Sequence, residues 1–184
     1  MKKFVLLLFA LLCLQCFSQT NVTANIFSNT NWTQANSPYI IKNDIIIYGG
    51  AKLTVDAGVE IKVDNGFKID LRGELALNGS VSDSILIRSS LPSPANNAWY
   101  GVQLNASGKI KINYSIFKDS EYGIDYWNSA LTLADTSNIT HSRFTHNNWA
   151  IGGFGLNRPR VYIKMCTFNI NTRGIWGGES ENVY

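Results

Sequence analysis

Three stretches in the second half of this chain align without gaps and decide its fold. Residues 112–124 read INYSIFKDSEYGI, residues 139–151 read ITHSRFTHNNWAI, and residues 163–175 read IKMCTFNINTRGI. Each begins with Ile, followed by Ser or Cys at +3, Phe at +5, Ser or Asn at +8, Gly or Ala at +11 and Ile at +12. Repetition at offsets of 27 and 24 residues is typical of stacked coils, because each buried side chain must lie over its equivalent one coil below.

The shared positions predict the cross-section of one coil. Ile and Phe point inward and form apolar stacks, each side chain contributing about 1.5–3 kcal/mol through burial. Asn147 and Asn171, with Ser120 in the same position, lie where a bend closes, and we expect their side chains to hydrogen-bond from coil to coil. Cys166 takes the position held by Ser115, which indicates a corner residue rather than a nucleophile.

The preceding stretch, residues 39–78, shows a weaker pattern. Gly50, Gly58, Gly66 and Gly73 each precede a segment in which apolar and polar residues alternate, as in half-buried strands. We expect these glycines to supply the positive φ that tight corners require. Alone, the stretch fits antiparallel hairpins as well as three-sided coils, and the repeat in the second half favours coils. The predicted fold is all-β, a right-handed single-stranded parallel β-helix built as a solenoid of three-sided coils.

The N-terminus predicts export. Lys2 and Lys3 precede an apolar run at residues 4–14, which is typical of a secretory signal and too short to cross a bilayer. We assign residues 1–19 to a signal peptide, residues 20–38 to a polar leader or N-terminal cap anchored by Trp32, and residues 39–184 to the β-helix domain. The predicted location is extracellular or at the cell surface, with no transmembrane segment.

The charge of the exported chain argues against nucleic acid as a partner. Removal of Lys2 and Lys3 from the 16 basic residues leaves 14 against 13 acidic ones, a net charge of +1. No Lys/Arg cluster occurs along the sequence, whereas nucleic-acid-binding proteins carry one. Cys166 is then the single cysteine, so no intramolecular disulfide is expected.

The C-terminal end of the sequence shows no recognisable cap. Tyr184 follows Ile175 by nine residues, and an open solenoid end exposes unpaired strand edges. We therefore expect a β-helix that is incomplete at its C-terminus, or an end covered by a partner, including self-association at the uncapped coil.

The aligned segments resemble the parallel β-helix repeats of the pectin-lyase-like superfamily. The distinctive pattern covers residues 112–175 and a weaker one covers residues 39–111, while the Ser18-Gln19 signal ending is similar to those of secreted Bacteroidetes proteins. The resemblance implies the fold and export. It does not settle function, because that superfamily includes lyases, hydrolases, adhesins and scaffolds.

An aromatic column is the main candidate for a ligand face. The +10 position holds Tyr122, Trp149 and Arg173, which should lie about 4.8 Å apart along the axis. Further aromatic residues, Phe154 among them, follow the +12 position. Such a face could bind sugar rings, or its rings could stack only for stability, with Arg173 making a cation–π contact. The predicted ligand-binding residues are Tyr122, Tyr126, Trp127, Trp149, Arg173 and Trp176.

Acidic residues nearby provide weaker candidates for catalysis. Asp119, Glu121 and Asp125 could act as acids, with Arg143 or Arg173 as the base. A lyase would use the carboxylates to hold Ca²⁺, and a glycoside hydrolase would need a pair about 5–9.5 Å apart. The paired-aspartate, Gly-His-Gly and Trp-x-Asp-His signatures of the enzymes in that superfamily are absent from this sequence. We therefore predict no catalytic activity and no cofactor, with Ca²⁺ entering only under the lyase hypothesis.

No metal site is predicted, because His141 and His146 have no Cys or carboxylate at ligand spacing. The predicted function is a non-catalytic, secreted or surface module that binds, or is displayed against, polysaccharide or cell-surface glycan. Two alternatives stay open: the N-terminal part of a polysaccharide lyase or glycoside hydrolase, and a structural or adhesive spacer.

Overall fold

The computed structural model describes residues 19–130, 136–153 and 160–176. These residues form three parallel β-sheets wound into a β-solenoid of about six turns, which confirms the predicted all-β coil architecture. The one helical element among them is a short 3-10 turn at Gln34–Asn36. Most of the predicted signal peptide and Phe154 lie outside the described residues.

Each turn of the solenoid passes through sheets A, B and C in that order. Sheet A contains β1 (Thr20–Val22), β3 (Tyr39–Ile41), β6 (Glu60–Val63), β9 (Ile85–Ser89), β12 (Ser115–Lys118), β15 (Arg143–Thr145) and β18 (Thr167–Asn169). Sheet B contains β4 (Ile45–Ile47), β7 (Lys68–Leu71), β10 (Trp99–Ala106), β13 (Ser120–Ser129), β16 (Trp149–Gly152) and β19 (Arg173–Ile175). Sheet C contains β2 (Thr30–Trp32), β5 (Lys52–Asp56), β8 (Glu74–Asn78), β11 (Lys109–Asn113), β14 (Thr136–Thr140) and β17 (Arg160–Lys164).

The hairpin interpretation of residues 39–78 is wrong. In this stretch β3 pairs with β6, β4 with β7 and β5 with β8, and all three pairs are parallel. Parallel pairing needs a crossover connection, which here is the rest of the coil.

The predicted apolar stacks run along the axis. Phe144 pairs in register with Phe117 below and Phe168 above. The ring centroids are 4.9 Å and 5.3 Å apart, and the rings lie within 9° of parallel. The first Ile of each repeat also stacks on its equivalent, as does the last. This agreement confirms that one repeat corresponds to one coil.

The asparagine position forms the predicted hydrogen-bonded ladder. Asn147 is fully buried, and its Oδ1 accepts hydrogen bonds from the amide (3.1 Å) and hydroxyl (2.7 Å) of Ser120. Its Nδ2 donates to the Phe117 carbonyl at 3.1 Å and to Oδ1 of Asn171 at 2.9 Å. Asn171 repeats the pattern one coil higher by donating to the Phe144 carbonyl. The bend after sheet A is therefore closed by side chains that satisfy buried backbone groups.

Two corners in each repeat coil adopt left-handed backbone without glycine. Both corners flank a sheet A strand, at the +2 and +7 positions. The residues there, all with φ between 43° and 66°, are Tyr114, His141, Met165, Asp119, His146 and Ile170. This conformation costs about 1–2 kcal/mol for a residue other than glycine. Contacts between coils offset part of the cost, such as the stack of Tyr114 on His141 at 4.6 Å.

The glycine prediction is correct at three positions and wrong at one. Gly50, Gly58 and Gly66 have positive φ, as expected. Gly73 does not, and a Cβ there would overlap the carbonyl oxygens of Tyr48 and Ala51. Glycine is required at that corner because two coils approach closely, not because of the backbone dihedral.

Residues 20–38 form the first turn of the solenoid, since β1 pairs with β3 and β2 pairs with β5. Trp32 is buried and stacks on Tyr39 at 4.5 Å. Cys166 occupies the corner predicted for it, with its thiol 3.5 Å from the Lys164 carbonyl. Ser142 makes the equivalent bond to Thr140.

Candidate functional site

The predicted aromatic column lies on the outer face of sheet B. Tyr122 pairs in register with Trp149, and Trp149 pairs with Arg173. The Tyr122 and Trp149 rings are 6.1 Å apart and within 10° of parallel, and the Arg173 guanidinium lies 4.1 Å from the Trp149 ring centroid. The column continues downward through Tyr100, whose ring is 5.6 Å from that of Tyr122. Its lower end is Lys68, with Nζ 5.7 Å from the Tyr100 centroid.

Stacking covers the ring faces within this column. Tyr122 has a neighbouring ring on either side, and Trp149 lies between Tyr122 and Arg173. Both side chains are only partly exposed. They therefore present ring edges to solvent rather than open faces, so this column stabilises the coils and forms one wall of the outer face.

The more exposed aromatic pair lies in a second row. Trp127 is 60% exposed and Trp176 is 40% exposed, and their rings stack at 5.8 Å and 11°. Trp176 also approaches Trp149 at 5.5 Å with a tilt of 54°, so it joins the two rows. These two indoles are the predicted ligand residues most accessible to a large molecule.

The second row extends down the solenoid through residues that the sequence did not single out. One coil below, Asn105 pairs in register with Asn128, the residue after Trp127. On the next coil down, Arg72 follows Leu71, the register partner of Leu104, and lies 6.0 Å from the Tyr48 ring centroid. Phe27, which is 69% exposed, stacks on Tyr48 at 4.6 Å. The row thus has an aromatic pair at each end and polar side chains between them.

Tyr126 does not belong to this face, which corrects the prediction. It is fully buried, because it shares the inward parity of Ile124 within β13. Burial raises the pKa of its phenol. Tyr126 is a core residue and is unavailable to a ligand at the surface.

A row of polar side chains runs between the two aromatic rows. Asp70, Gln103 and Asp125 are register partners on successive coils. Arg72 binds both carboxylate oxygens of Asp70, at 2.8 Å and 3.2 Å, and Asn105 donates to the same carboxylate at 2.7 Å. Burial raises the pKa of Asp70, but these hydrogen bonds and the nearby charges of Arg72 and Lys68 outweigh it, so the pKa lies below its ordinary value.

Asp125 is buried beneath the face and fully engaged. Its Oδ2 accepts hydrogen bonds from the Tyr100 hydroxyl at 3.0 Å and from Nε2 of Gln103 at 3.1 Å, and its Oδ1 accepts one from the Trp127 amide at 2.9 Å. Gly153, with φ of 76°, packs so closely that a Cβ would overlap Oδ1. Asp125 therefore fixes the backbone at Trp127 and orients Tyr100.

The same carboxylate affects the two tyrosines of the column. Burial, followed by the charge of Asp125, raises the pKa of both Tyr100 and Tyr122. Both phenols therefore remain protonated over the ordinary range of pH, and Tyr100 keeps donating to Asp125.

The candidate catalytic residues are not assembled into one site. Asp119 is buried at the corner between sheets A and B, with Oδ1 2.8 Å from Nδ1 of His146. Glu121 accepts a hydrogen bond from Asn148 at 2.8 Å. Arg143 lies in β15 on the exposed face of sheet A, away from the carboxylates of sheet B. The corner between sheets A and B separates Arg143 from Glu121 and Asp125, whereas Arg173, the other candidate base, lies on sheet B with them.

Two further observations concern the described part of the chain. Within it, no three His, Cys, Asp or Glu side chains are grouped so that they could hold a metal ion. Nor do residues 19–130, 136–153 and 160–176 include a helix with the length and apolar character needed to span a bilayer.

Comparisons with protein-family models, with curated proteins and with solved structures gave no significant match.

Proposed function

We propose that this chain is an exported, non-catalytic β-solenoid module that binds polysaccharide along the outer face of sheet B. One observation carries the proposal: Trp127 in β13 and Trp176 after β19, two coils apart, leave 60% and 40% of their surface exposed while stacking on each other. Paired exposed indoles are unfavourable in water and suit a ligand with flat apolar faces and a polar rim. Sugar rings have this character.

Polar groups on the two coils below Trp127 supply the directional contacts that sugar hydroxyls need. Lys68 and Gln103 are hydrogen-bonded to each other at 2.9 Å, and Arg72 and Asn105 converge on Asp70. These groups recur at the coil spacing of about 4.8 Å along the axis. An elongated polymer lying parallel to the solenoid axis would meet them in succession, between the aromatic pairs at the two ends of the second row.

The engagement of the acidic residues supports binding without catalysis. Asp125 has three hydrogen-bond donors and is 1% exposed, so it holds the face in shape instead of reaching a substrate. Glu121 is likewise held by Asn148. A right-handed coil and membership of the pectin-lyase-like superfamily in its secreted Bacteroidetes form are parts of the same proposal, supported by the repeat at residues 112–175 and the export signal.

Affinity electrophoresis in gels containing neutral polysaccharides tests the proposal. Trp127→Ala and Trp176→Ala should each lower the apparent affinity, calculated from the retardation, by about tenfold. This loss is typical of an aromatic anchor. Tyr114→Ala, which removes a partly exposed ring from the corner between sheets C and A, is the matched control and should bind like the wild type. If both tryptophan variants are retarded like the wild type, the Trp127–Trp176 stack serves stability alone, and the spacer alternative is favoured.

One contact favours the enzymatic alternative. The Asp119 carboxylate lies 2.8 Å from His146, whose side chain is 42% exposed, and a carboxylate can orient an imidazole for proton transfer. If the chain is part of a lyase or hydrolase, His146→Ala abolishes the release of unsaturated or reducing ends from pectin or alginate. If no such products form with the wild-type chain, with or without Ca²⁺, this alternative fails.

A further inference from the structure

The outer face of sheet C carries a cluster of basic residues in its three C-terminal strands. In β11, buried Ile110 and Ile112 alternate with outward-facing Lys109 and Lys111. Arg160 and Lys164 are exposed at the two ends of β17, two strands away. These four cations, Lys109, Lys111, Arg160 and Lys164, form the basic face.

Strand register arranges the outward side chains of β11, β14 and β17 as an array of three columns. Lys111, Asn138 and Tyr162 are register partners in the central column. Asn113, Thr140 and Lys164 form the column on one side, and Thr136 pairs with Arg160 in the column that Lys109 begins. The cations thus surround a centre of hydroxyl and amide groups and an exposed tyrosine.

The basic face has an uneven charge that the net charge of the chain conceals. No Asp or Glu occurs in β11, β14 or β17 as the structure describes them. The lower strands of the same sheet are different, since β5 contains Asp56 and β8 contains Glu74, which pairs with Lys52 at 2.9 Å. Glu74 reaches the lower margin of the basic face, where it is the register partner of Lys109 and lies 4.0 Å from Lys111. Positive charge therefore accumulates toward one end of sheet C.

The spacing lets the four charges act on one extended ligand. Cations two residues apart on a strand are about 7 Å apart, and those two strands apart are about 10 Å apart. The first spacing is within the Debye length of about 8 Å at physiological ionic strength and the second is slightly beyond it, so neighbouring cations reinforce one another's potential. Arg160 and Lys164, four residues apart on β17, are about 13 Å apart and bind separate acidic groups of the ligand. Tyr162, which is 46% exposed, gives the centre of the array an aromatic surface on which a sugar ring can pack.

We propose that the basic face is a second binding site, on a different face from sheet B, that takes an anionic polysaccharide with repeated carboxylate or sulfate groups. The cations bind the acidic groups, while Thr136, Asn138 and Thr140 bind sugar hydroxyls. Four cations on a flat sheet with a single exposed aromatic ring suit such a polymer better than nucleic acid, which requires a larger basic footprint. The site does not depend on the tryptophan pair of sheet B.

Isothermal titration of the whole chain with polygalacturonate and with heparin tests the site, with dextran as the uncharged comparison and duplex DNA as the competing polyanion. The double variant Arg160→Glu/Lys164→Glu should lose at least about tenfold in affinity for an acidic polysaccharide, because two exposed ion pairs are replaced by repulsion. Both substitutions face threonines across the sheet. Lys118→Glu, at the end of β12 on sheet A, is the control for Lys164→Glu at the end of β17 and should bind normally.

The outcomes separate this site from the proposed function of sheet B. Loss of acidic-polymer binding in the double variant, together with weakening by added salt and normal binding by Trp127→Ala, supports the basic face whether or not neutral polymers bind to sheet B. Unchanged affinity in the double variant overturns it. Binding of duplex DNA as tight as that of the acidic polysaccharides also overturns it, because the face would then recognise charge alone.

Discussion

Replacement of Asn147 by alanine should test the asparagine ladder more severely than any other single change. The side chain is fully buried and makes hydrogen bonds to Ser120, to the Phe117 carbonyl and to Asn171. Alanine removes all of them while leaving the backbone of the bend in place. The Ser120 amide and the Phe117 carbonyl then lose their Asn147 partner inside the coil.

The expected loss follows from those two backbone groups. A buried donor or acceptor deprived of its partner costs about 1–3 kcal/mol. Two such groups predict a decrease of about 4 kcal/mol in the free energy of unfolding for Asn147→Ala. The neighbouring Asn148 is the matched control, since its side chain is only partly buried and its bond is to Glu121. Asn148→Ala should cost about 0.5 kcal/mol, as expected for a single polar pair near the surface.

Equilibrium unfolding in urea, followed by tryptophan fluorescence and by circular dichroism, measures both variants. If the ladder is correct, Asn147→Ala shifts the midpoint strongly with little change in the denaturant slope, since the area exposed on unfolding is the same. If Asn147→Ala loses no more stability than Asn148→Ala, the buried amide does not hold the coils together and the reasoning is refuted.

Three further predictions concern the core, a tight approach and the response to acid. Phe144→Ala should decrease the free energy of unfolding by about 3–5 kcal/mol, because the ring is fully buried between two others. Phe168→Ala, at a partly exposed position, should cost less in the same urea titration. Gly153→Ala should lower the free energy of unfolding by about 1–3 kcal/mol in a thermal melt, because φ is 76° and a Cβ would meet the Trp127 amide at 2.6 Å. Gly174→Ala, where nothing lies within 4 Å of the added Cβ, should leave it nearly unchanged. The pKa of Asp70 is lower in the folded chain than its ordinary value of 3.8, so its carboxylate contributes stability above that value and loses it as the pH falls through the folded pKa. Stability measured from neutral pH to below pH 3.8 should therefore fall less steeply for Asp70→Asn than for the wild type, and equal slopes would contradict this assignment.

The coils that could be aligned were those with uninterrupted spacing. Phe117 and Ser120 are three residues apart, but their register partners Ile87 and Trp99 one coil below are twelve apart. The additional residues form a connection between sheets A and B, so the coil that contains β9 and β10 escapes a gapless alignment. Its contribution to the outer face, Tyr100 above all, was missed for the same reason.

The candidate face was predicted where parity and repeat agreed. Tyr122, Trp149 and Arg173 share one repeat position and lie in one column, as expected. Tyr126 was assigned to the face by proximity in sequence, and strand parity instead directs it into the core. Gln103 and Asn105 carry no pattern of their own, and their role depends on partners that lie 22 and 35 residues away along the chain.

The periodic side chains of the repeat, by themselves, determined that equivalent residues stack along one axis. A buried phenylalanine or asparagine must repeat from coil to coil if each is to pack or hydrogen-bond with its copy. Only the tertiary structure decided which outward residues become neighbours. Most outward side chains do not need to pack against an equivalent residue on the next coil, so they do not repeat in the sequence. The positions of the four cations at one end of sheet C and of the two exposed indoles on sheet B therefore depend on strand register and corner geometry, which the sequence alone does not reveal.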